Sequence, residues 1–252
     1  MHRLERLGDD LAVLGRLLRG MPGRHSHTSH AERLQAFYAP QADRYDTFRE
    51  RLLPGRRQMI EQLHPLPGAR IVELGAGTGR NIAFFGAAIR GFCTVELVDL
   101  CPALLARARS RTAGLHNIRV VEADATSYRP PLAVDCAYFS FALTMIPDWR
   151  TALGNAVAML KPGGRLGIVD FYVSRTRRHD PPVLHSAFDR WFWPRWFRHD
   201  GVHLNAEHLP SARALLPIHQ VHESRSAIPY LPGMRVPYYV FVGTKIASPA
   251  AA

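Results

Sequence analysis

A short apolar run followed at once by closely spaced glycines constrains this chain more than any other stretch. Residues 71–74 have the apolar character of a buried strand, and Gly75, Gly77 and Gly79 follow directly. Glycine lacks a Cβ, so the backbone can turn sharply there and a ligand can approach it closely. Residues 81–85 then begin a pattern compatible with a helix. Strand, glycine turn and helix in succession are typical of a parallel α/β sheet that binds a nucleotide-like ligand at its edge.

The glycine spacing argues against a dinucleotide cofactor. The NAD and FAD fingerprint Gly-x-Gly-x-x-Gly needs a third glycine at position 80 or, in the frame shifted by two residues, at position 82. Arg80 and Ile82 occupy these positions. What remains is the spacing Glu-x-Gly-x-Gly-x-Gly, which runs from Glu73 to Gly79.

Further strand patterns alternate with helical patterns along the chain. Strands are predicted over residues 92–97, 118–125, 135–141 and 165–171, and helical patterns lie between them around residues 104–111 and 153–160. This rhythm predicts an α/β fold with a doubly wound, mostly parallel, Rossmann-like sheet. Residues 206–216 are predicted as a helix and residues 238–242 as a strand of an antiparallel closing pair.

Polar residues follow several of these predicted strands. Ligands of such sheets bind beyond the carboxyl ends of the strands. Asp99 lies 22 residues after Gly77 (99 − 77), close to the spacing of about 20 at which an acidic residue meets ribose hydroxyls. We therefore expect one edge of the sheet to gather Gly75, Asp99, Asp124, Ser140 and Asp170.

Composition and charge narrow the class of protein. The three cysteines form no C-x-x-C pair, so we expect buried thiols in a reducing compartment and no metal site. No apolar run approaches about 18 residues, and Asp9 and Asp10 interrupt the N-terminal apolar stretch. We therefore expect a cytoplasmic protein without a membrane span or a secretion signal. The net charge of +11 favours an anionic partner, either a nucleic acid or an anionic membrane surface.

The N-terminal residues are organised differently from the rest of the chain. Leucines recur at helical spacing from Leu4 to Leu18, Pro22 and Gly23 end the pattern, and a His/Ser-rich linker follows. Such a stripe docks on the domain, on a partner subunit or on a lipid surface. We expect this helix and linker over residues 1–30, followed by one domain over residues 31–252. The domain is divided into a helical cap at 31–68, a nucleotide-binding core at 69–171, an acceptor-side insertion at 172–217 and closing strands at 218–245.

Four pieces of the core resemble S-adenosylmethionine (SAM)-dependent methyltransferases: residues 73–79, 98–107, 122–125 and 160–164. The resemblance implies a seven-stranded sheet with an antiparallel C-terminal strand, and SAM as the cofactor. It implies that Gly75 and Gly77 lie against the methionine part, that Asp99 binds the ribose, and that Asp124 and Ala125 flank the adenine. The full set of cofactor-binding residues expected from it is Tyr38, Tyr45, Glu73, Gly75, Ala76, Gly77, Asn81, Asp99, Leu100, Asp124, Ala125 and Ser140.

Segments outside the core are similar to the methyltransferase of betaine-lipid synthesis, which trimethylates the amino group of diacylglycerylhomoserine. These are residues 199–210, 230–232 and 236–243, together with 140–149 and the pair at 56–57. We therefore expect successive N-methylation of this lipid. Phosphatidylethanolamine and a quinone methylated on carbon or oxygen are alternative acceptors. A non-catalytic membrane-binding module is a further alternative, against which the intact glycines and acidic residues argue.

An amine acceptor must be unprotonated to attack a methyl group, so the reaction needs a proton acceptor. Residues that would act as proton acceptors or amine anchors are His199, His203, Asp170, Tyr172 and Asp200. The two histidines rank first, because imidazole titrates near neutrality.

The product and the headgroup make two further demands. A quaternary ammonium favours aromatic faces, and the residues expected to supply them are Tyr38, Tyr45 and Tyr172. The homoserine carboxylate calls for a cation. The choice among Arg49, Arg57 and Arg198 stays open at this point.

Residues 188–198 combine Trp191, Trp193 and Trp196 with three arginines. Tryptophan and arginine in one short stretch are typical of a bilayer interface, so we expect peripheral contact with an anionic membrane that carries the diacyl lipid. A lid over the site and an oligomer contact are the alternatives. Binding of single-stranded RNA is disfavoured, because no RNA-binding module accompanies the stretch.

Overall fold

The computed structural model describes residues 29–39, 52–175, 184–198, 201–228 and 233–247. These residues form one seven-stranded sheet with helices packed on both faces. The strands are β1 (Arg70–Leu74), β2 (Thr94–Asp99), β3 (Ile118–Glu122), β4 (Val134–Ser140), β5 (Leu160–Phe171), β6 (Ile218–Ala227) and β7 (Arg235–Thr244). The helices are α1 (His30–Tyr38), α2 (Arg56–Leu63), α3 (Pro102–Thr112), α4 (Trp149–Met159), α5 (Ala187–Arg198) and α6 (His208–Leu215).

The strand order is β3-β2-β1-β4-β5-β7-β6. The pairs from β3 to β5 are parallel, whereas β7 runs antiparallel to both of its neighbours. The chain order reverses direction beside β1, and this reversal opens a crevice at the carboxyl ends of β1 and β4, where ligands of such sheets bind. The predicted fold class is confirmed: a Rossmann-like sheet, mostly parallel, with an antiparallel strand near the C-terminus.

Alternate residues of each central strand enter different apolar layers. In β1, Ile71 packs into the layer that contains α2 and α5, whereas Val72 packs into the layer that contains α4 and α6. Side chains of a strand alternate between its faces, so a strand covered on both sides reads as a continuous apolar run. This double burial explains why the central strands were recognisable in the sequence.

Several element boundaries differ from the sequence predictions, among them the start of the second strand and the segment after the glycine turn. Phe92 was expected to open the second strand, but β2 begins at Thr94 and Phe92 packs edge-on against Phe85 in the core. Its apolar character therefore reflects burial in a turn. The helix expected after the glycine turn is a 3₁₀ segment, Arg80–Gly91, which is interrupted at Gly86 with φ +55°.

The first described helix starts inside the stretch that was read as a linker. Ser29 caps α1 through a capping box: its hydroxyl accepts from the backbone of Glu32 at 3.2 Å, and the Glu32 carboxylate accepts from the backbone of Ser29 at 2.6 Å. Both orphan N–H groups are thereby satisfied. The leucine stripe lies outside the described residues, and the division into cap, core, insertion and closing strands stays a prediction. None of the described helices has the length and apolar character needed to cross a membrane.

Candidate cofactor and acceptor site

A cavity of about 290 Å³ lies at the carboxyl ends of β1, β2 and β4. Its floor is the glycine turn after β1, one wall is formed by the ends of β2 and β3, and the opposite wall follows β4. Residues of α1 and α2 close it from above. The cavity therefore lies where the sheet topology predicts a ligand, and most of the expected cofactor-binding residues line it: Tyr38, Gly75, Ala76, Gly77, Asn81, Asp99, Leu100, Asp124, Ala125 and Ser140.

The turn between β1 and the 3₁₀ segment requires glycine. Gly75 has φ +74°, and a Cβ built there would lie 2.4 Å from the Cβ of Ala142. The backbone N–H groups of Gly75 and Ala76 both donate to the Val98 carbonyl, at 2.8 and 3.0 Å. These bonds tie the turn to the end of β2 and keep its backbone exposed to the cavity.

Asp99 ends β2 and is held by two backbone amides. One carboxylate oxygen accepts from Gly77 at 2.8 Å and the other from Cys101 at 2.8 Å. A carboxylate offers about four acceptor positions, and a vicinal diol donates two hydrogen bonds. The side chain can therefore receive a vicinal diol, as the spacing predicted.

Asp124 and its neighbours form the wall at the end of β3. The Asp124 carboxylate accepts from the backbone and the hydroxyl of Thr126, at 2.8 and 2.7 Å. Asn155 donates to the carbonyl of Ala125 at 2.8 Å. This turn is thus fixed from both sides, and its residues line the same cavity as Leu100.

Glu73 lies behind the glycine turn, fully buried in β1. Asn81 donates to one of its oxygens at 2.6 Å and Tyr138 to the other at 2.9 Å, and Arg56 donates to the Asn81 amide oxygen at 3.3 Å. Burial raises the pKa of the Glu73 carboxyl to about 7, against the lowering effect of these hydrogen bonds and of Arg56. Glu73 does not line the cavity itself, and it acts on the cavity through Asn81.

Helix α1 covers the cavity and is fixed to the core at two points. The Gln35 amide oxygen accepts from the backbone of Ala103 at 3.1 Å and from the Cys101 thiol at 3.3 Å, which caps the start of α3. The Tyr38 hydroxyl donates to the sulfur of Met145 at 3.2 Å. Tyr38 is therefore a buried part of the cavity roof.

The hydroxyl of Ser140 indicates whether a polar ligand such as SAM suits the cavity. This hydroxyl is buried at the end of β4, lines the cavity, and has no hydrogen-bond partner among the residues that the structure describes. A buried hydroxyl without a partner is costly, and a polar ligand in the cavity would satisfy it. Together with the glycine turn and the Asp99 carboxylate, this orphaned group fits a ligand with an amino-acid part and a ribose.

Three of the residues expected to act as acids or bases are described by the structure, and they lie in different places outside the cavity lining. Asp170, at the end of β5, is fully buried and accepts from the backbone and hydroxyl of Thr144, at 3.0 and 2.8 Å. The backbone N–H of His203 donates to the Thr144 carbonyl at 2.8 Å, which holds this histidine beside the same turn. Tyr172 is buried on the α4 side of the sheet, where its hydroxyl donates to Glu223. None of the three lines the cavity.

Several predicted residues lie outside the part of the chain that the structure describes. They are Tyr45, Arg49, His199 and Asp200. Of the other arginines considered for a carboxylate, Arg57 is exposed with its guanidinium 5.1 Å from the Phe84 ring centre, and Arg198 is exposed at the end of α5.

Among the cavity residues to which the sequence analysis assigned no role in the site are Arg56 and His30. Arg56 shares the buried face of α2 with Met59, Ile60 and Leu63, and this i, i+3, i+4, i+7 spacing is the available signal. His30 lies next to the Ser29 capping residue, so the capping box is its signal.

The predicted aromatic stretch forms α5, and its three tryptophans have different environments. Trp193 is 1% exposed and donates to Asp189 at 3.0 Å. Trp191 is 54% exposed, as is Phe188. The stretch was expected to contact a membrane surface, and Trp193 cannot take part in such a contact because it packs into the core.

An aromatic ridge runs along the outer side of α5. Its members are Phe188, Trp191, Phe192 and Trp196, and we call them the α5 ridge. The rings of Phe188 and Phe192 stack at 5.2 Å, and those of Phe192 and Trp196 at 5.7 Å. The Arg195 guanidinium lies 4.9 Å from the centre of the Trp191 ring.

The inner side of α5 reaches the wall of the cavity through two ring contacts. Phe197 stacks on Phe171 at 4.9 Å, and Phe171 packs on Phe141 at 4.7 Å. Phe141 lines the cavity and has φ +53°. These contacts place three rings, those of Phe197, Phe171 and Phe141, between α5 and the cavity.

Comparison with known proteins agrees with this geometry. Residues 71–164 match the sequence profile of a methyltransferase domain. A demethylmenaquinone methyltransferase of Tropheryma whipplei is 32% identical over 145 residues, which are 56% of each chain. The chain thus spans little more than half the length of the curated relatives of this kind that it matches.

Solved structures show the same fold. Phosphoethanolamine N-methyltransferase 2 of Haemonchus contortus, in complex with SAM, superposes with a TM-score of 0.65 at 15% identity, over 88% of this chain and 61% of that one. The YcgJ protein of Bacillus subtilis gives a TM-score of 0.63 at 17% identity, over 77% of this chain and 99% of that one. The profile match covers residues 71–164, and the solved structures share the Rossmann-like fold of the chain. No group of three or more His, Cys, Asp or Glu suited to a metal occurs within the described ranges.

Proposed function

We propose that the chain is a SAM-dependent N-methyltransferase that methylates the amino group of a membrane lipid, with diacylglycerylhomoserine as the leading substrate. Three successive transfers give the trimethylated betaine lipid. The observation that carries the lipid assignment is the α5 ridge, in which Phe188 and Trp191 are exposed, on a chain that matches a methyltransferase-domain profile.

The α5 ridge has the chemistry of a membrane interface. Aromatic rings partition to the level of the lipid headgroups, and arginines attract anionic lipids. Arg195 and Arg198 lie in the last turn of α5, and the whole chain carries a net charge of +11. Because Phe197 of α5 is connected to the cavity wall through Phe171 and Phe141, we expect peripheral binding through the ridge to bring a headgroup towards the site. In this proposal the protein is cytoplasmic and binds an anionic membrane surface.

The cofactor would be held by residues at three places around the cavity. The glycine turn would face its methionine part, Asp99 its ribose hydroxyls, and Asp124 and Ala125 its adenine. When bound, it supplies an electrophilic methyl group. The protein contributes chiefly by positioning the acceptor nitrogen in line with that group and excluding water.

Arg56 is the cation best placed for a carboxylate within the cavity. It is buried, lines the cavity, and is oriented by hydrogen bonds to the Leu53 carbonyl at 3.1 Å and to Asn81. A fixed guanidinium binds carboxylates more specifically than a flexible cation. We assign Arg56 to the homoserine carboxylate of the lipid headgroup. It replaces Arg49, Arg57 and Arg198, which were considered from the sequence.

Methylation of a quinone on carbon is the second candidate, and the demethylmenaquinone methyltransferase similarity favours it. A quinone also resides in the membrane, so the α5 ridge serves both candidates. The two candidates differ in what the acceptor requires of the site. The amino lipid ends as a quaternary ammonium and carries a carboxylate, so it needs a site for each group, whereas a quinone needs neither.

Mass spectrometry of lipids incubated with the protein and methyl-labelled SAM distinguishes these candidates. We expect mono-, di- and trimethylated diacylglycerylhomoserine to appear in sequence. Labelled phosphatidylethanolamine products would move the assignment to that lipid, and labelled menaquinone or ubiquinone precursors with no labelled amine would refute N-methylation. Asp99→Ala, measured by calorimetry, is expected to abolish SAM binding, and unchanged affinity would refute the cofactor site.

Sedimentation with anionic vesicles tests the α5 ridge. The double variant Trp191→Ala/Trp196→Ala should lose most of its binding to vesicles that contain phosphatidylglycerol, while keeping its affinity for SAM. Leu132→Ala is the matched control, because Leu132 is 59% exposed outside α5. Equal sedimentation of the double variant and the wild type would contradict an interfacial role.

A further inference from the structure

We propose that His30 is the catalytic residue that takes the proton from the acceptor amine, and that His203 passes this proton to solvent. The inference rests on the proposed N-methylation, and it names a residue from the helix that roofs the cavity. Each transfer to an amine releases one proton, so a site that performs three transfers needs a repeatable way to remove it.

His30 is held at the cavity by the anchors of α1. It is the first residue of the helix, is half-buried, and lines the cavity. The Ser29 capping box fixes the turn that carries it, and the bonds of Gln35 and Tyr38 fix the rest of the helix. A base must be positioned before its pKa matters, and here the backbone that carries the imidazole is fixed by independent contacts.

The charged groups around His30 come from three elements. Arg33 lies on its own helix, Asp124 at the end of β3, and His203 in the segment before α6. Burial is the main cause that lowers the pKa of His30 below its usual 6.5; Arg33 and His203 lower it further, and Asp124 opposes them. The imidazole is therefore neutral at pH 7 and can accept a proton.

His203 lies close enough to His30 for its charge to lower the pKa of His30. Its backbone is bonded to the carbonyl of Thr144, and Asp170 fixes Thr144 through two hydrogen bonds. Its side chain is exposed, whereas that of His30 is half-buried. In this proposal the exposed His203 takes the proton from the half-buried His30 and releases it to solvent, and Asp170 has a positioning role.

The proton balance is the same in each round. The ammonium of the acceptor gives one proton to a ring nitrogen of His30, and the free amine pair forms the new N–C bond as the S–C bond breaks. The methylated nitrogen is again cationic, and the imidazolium of His30 releases its proton through His203 to water. Three rounds release three protons and end at a nitrogen that has none left to lose.

The test compares His30→Gln, His203→Gln and the matched control His116→Gln, an exposed histidine that does not line the cavity. Glutamine keeps hydrogen bonding but cannot accept a proton at neutral pH. We expect His30→Gln to lower kcat by about 100-fold or more, with the SAM Kd from calorimetry and the melting temperature unchanged. In the wild type, log(kcat/KM) should rise with pH through a midpoint below 6.5, and the variant should lack this limb. His203→Gln should lower kcat less, and His116→Gln should not.

A second variant guards against a purely structural effect. His30→Ala should regain activity when imidazole is added, because a free base can occupy the space. Unchanged kcat in His30→Gln, or a loss explained by weaker SAM binding, would overturn the role of His30 while wild-type turnover of the lipid upholds the proposed function. Absence of wild-type turnover on every amino lipid would overturn both.

Discussion

His208 should make the free energy of unfolding fall as the pH drops below neutrality. Its ring is 1% exposed at the start of α6 and lies 4.5 Å from the ring of Trp149. Neither ring nitrogen has a hydrogen-bond partner within the described residues. Burial, followed by Arg150, lowers the pKa of His208 from 6.5 to about 4. The folded protein therefore keeps a neutral imidazole at pH values where the unfolded chain is protonated.

The size of the effect follows from proton linkage. Between pH 6.5 and pH 4 the unfolded state binds the extra proton, so acid favours unfolding. The stability contributed by the neutral ring is complete above pH 6.5 and is lost as the pH falls toward 4. With about 1.4 kcal/mol for each pKa unit, the loss is about 2 kcal/mol at pH 5 and about 3 kcal/mol at pH 4.

The contribution of His208 to the free energy of unfolding can be measured by urea unfolding of the wild type and His208→Phe, followed by circular dichroism at pH 7 and pH 5. Phenylalanine keeps a ring against Trp149 and does not titrate, so any packing cost is the same at both pH values and cancels. We expect the variant to gain about 2 kcal/mol relative to the wild type on going from pH 7 to pH 5. Leu209→Ala, at a neighbouring buried position, should show a constant difference. A pH-independent difference for His208→Phe would refute the reasoning.

Two further substitutions test the glycine turn after β1 and the contacts of Asp189 that hold α5 on the core. Gly75→Ala combines φ +74° with a Cβ 2.4 Å from that of Ala142, so calorimetry should show SAM binding weaker by about 10-fold or more; unaltered affinity would mean that the turn adapts. Asp189→Ala leaves Trp193 and Arg225 without the acceptor that they contact at 3.0 and 2.5 Å, so urea unfolding should show a loss of about 3 kcal/mol; a loss below about 1 kcal/mol would show that the ion pair is worth no more than a surface one.

The parts of the fold that could be predicted are those that local pattern determines. The central strands are covered on both faces, so each is a continuous apolar run that the sequence displays directly. Asp99 was identified because the distance along the chain from the glycine turn to the end of β2 is set by one strand–helix–strand unit. The strand pattern and the spacing from the glycine turn to Asp99 together also predicted the position of the cavity.

The parts that could not be predicted depend on contacts between distant segments. The end-of-strand rule places Asp170 at the right edge of the sheet, but the turn that contains Thr144 folds over it and uses its carboxylate. Helix α5 has aromatic residues on every side, so its sequence does not reveal that Trp193 rather than Trp191 faces the core. His30 enters the cavity only because α1 packs on α3 through Gln35, a contact 68 residues apart in the chain.

The two amide contacts of Asp99 have a consequence for the energetics of ligand capture. A side chain that is already immobilised by Gly77 and Cys101 loses little rotamer freedom when a diol arrives, so the entropic penalty of ordering it is met during folding. The same carboxylate joins the glycine turn to the first turn of α3. The residue that would bind the ribose therefore also stabilises the fold. A substitution that changes ribose binding without destabilising the fold must still accept hydrogen bonds from both amides.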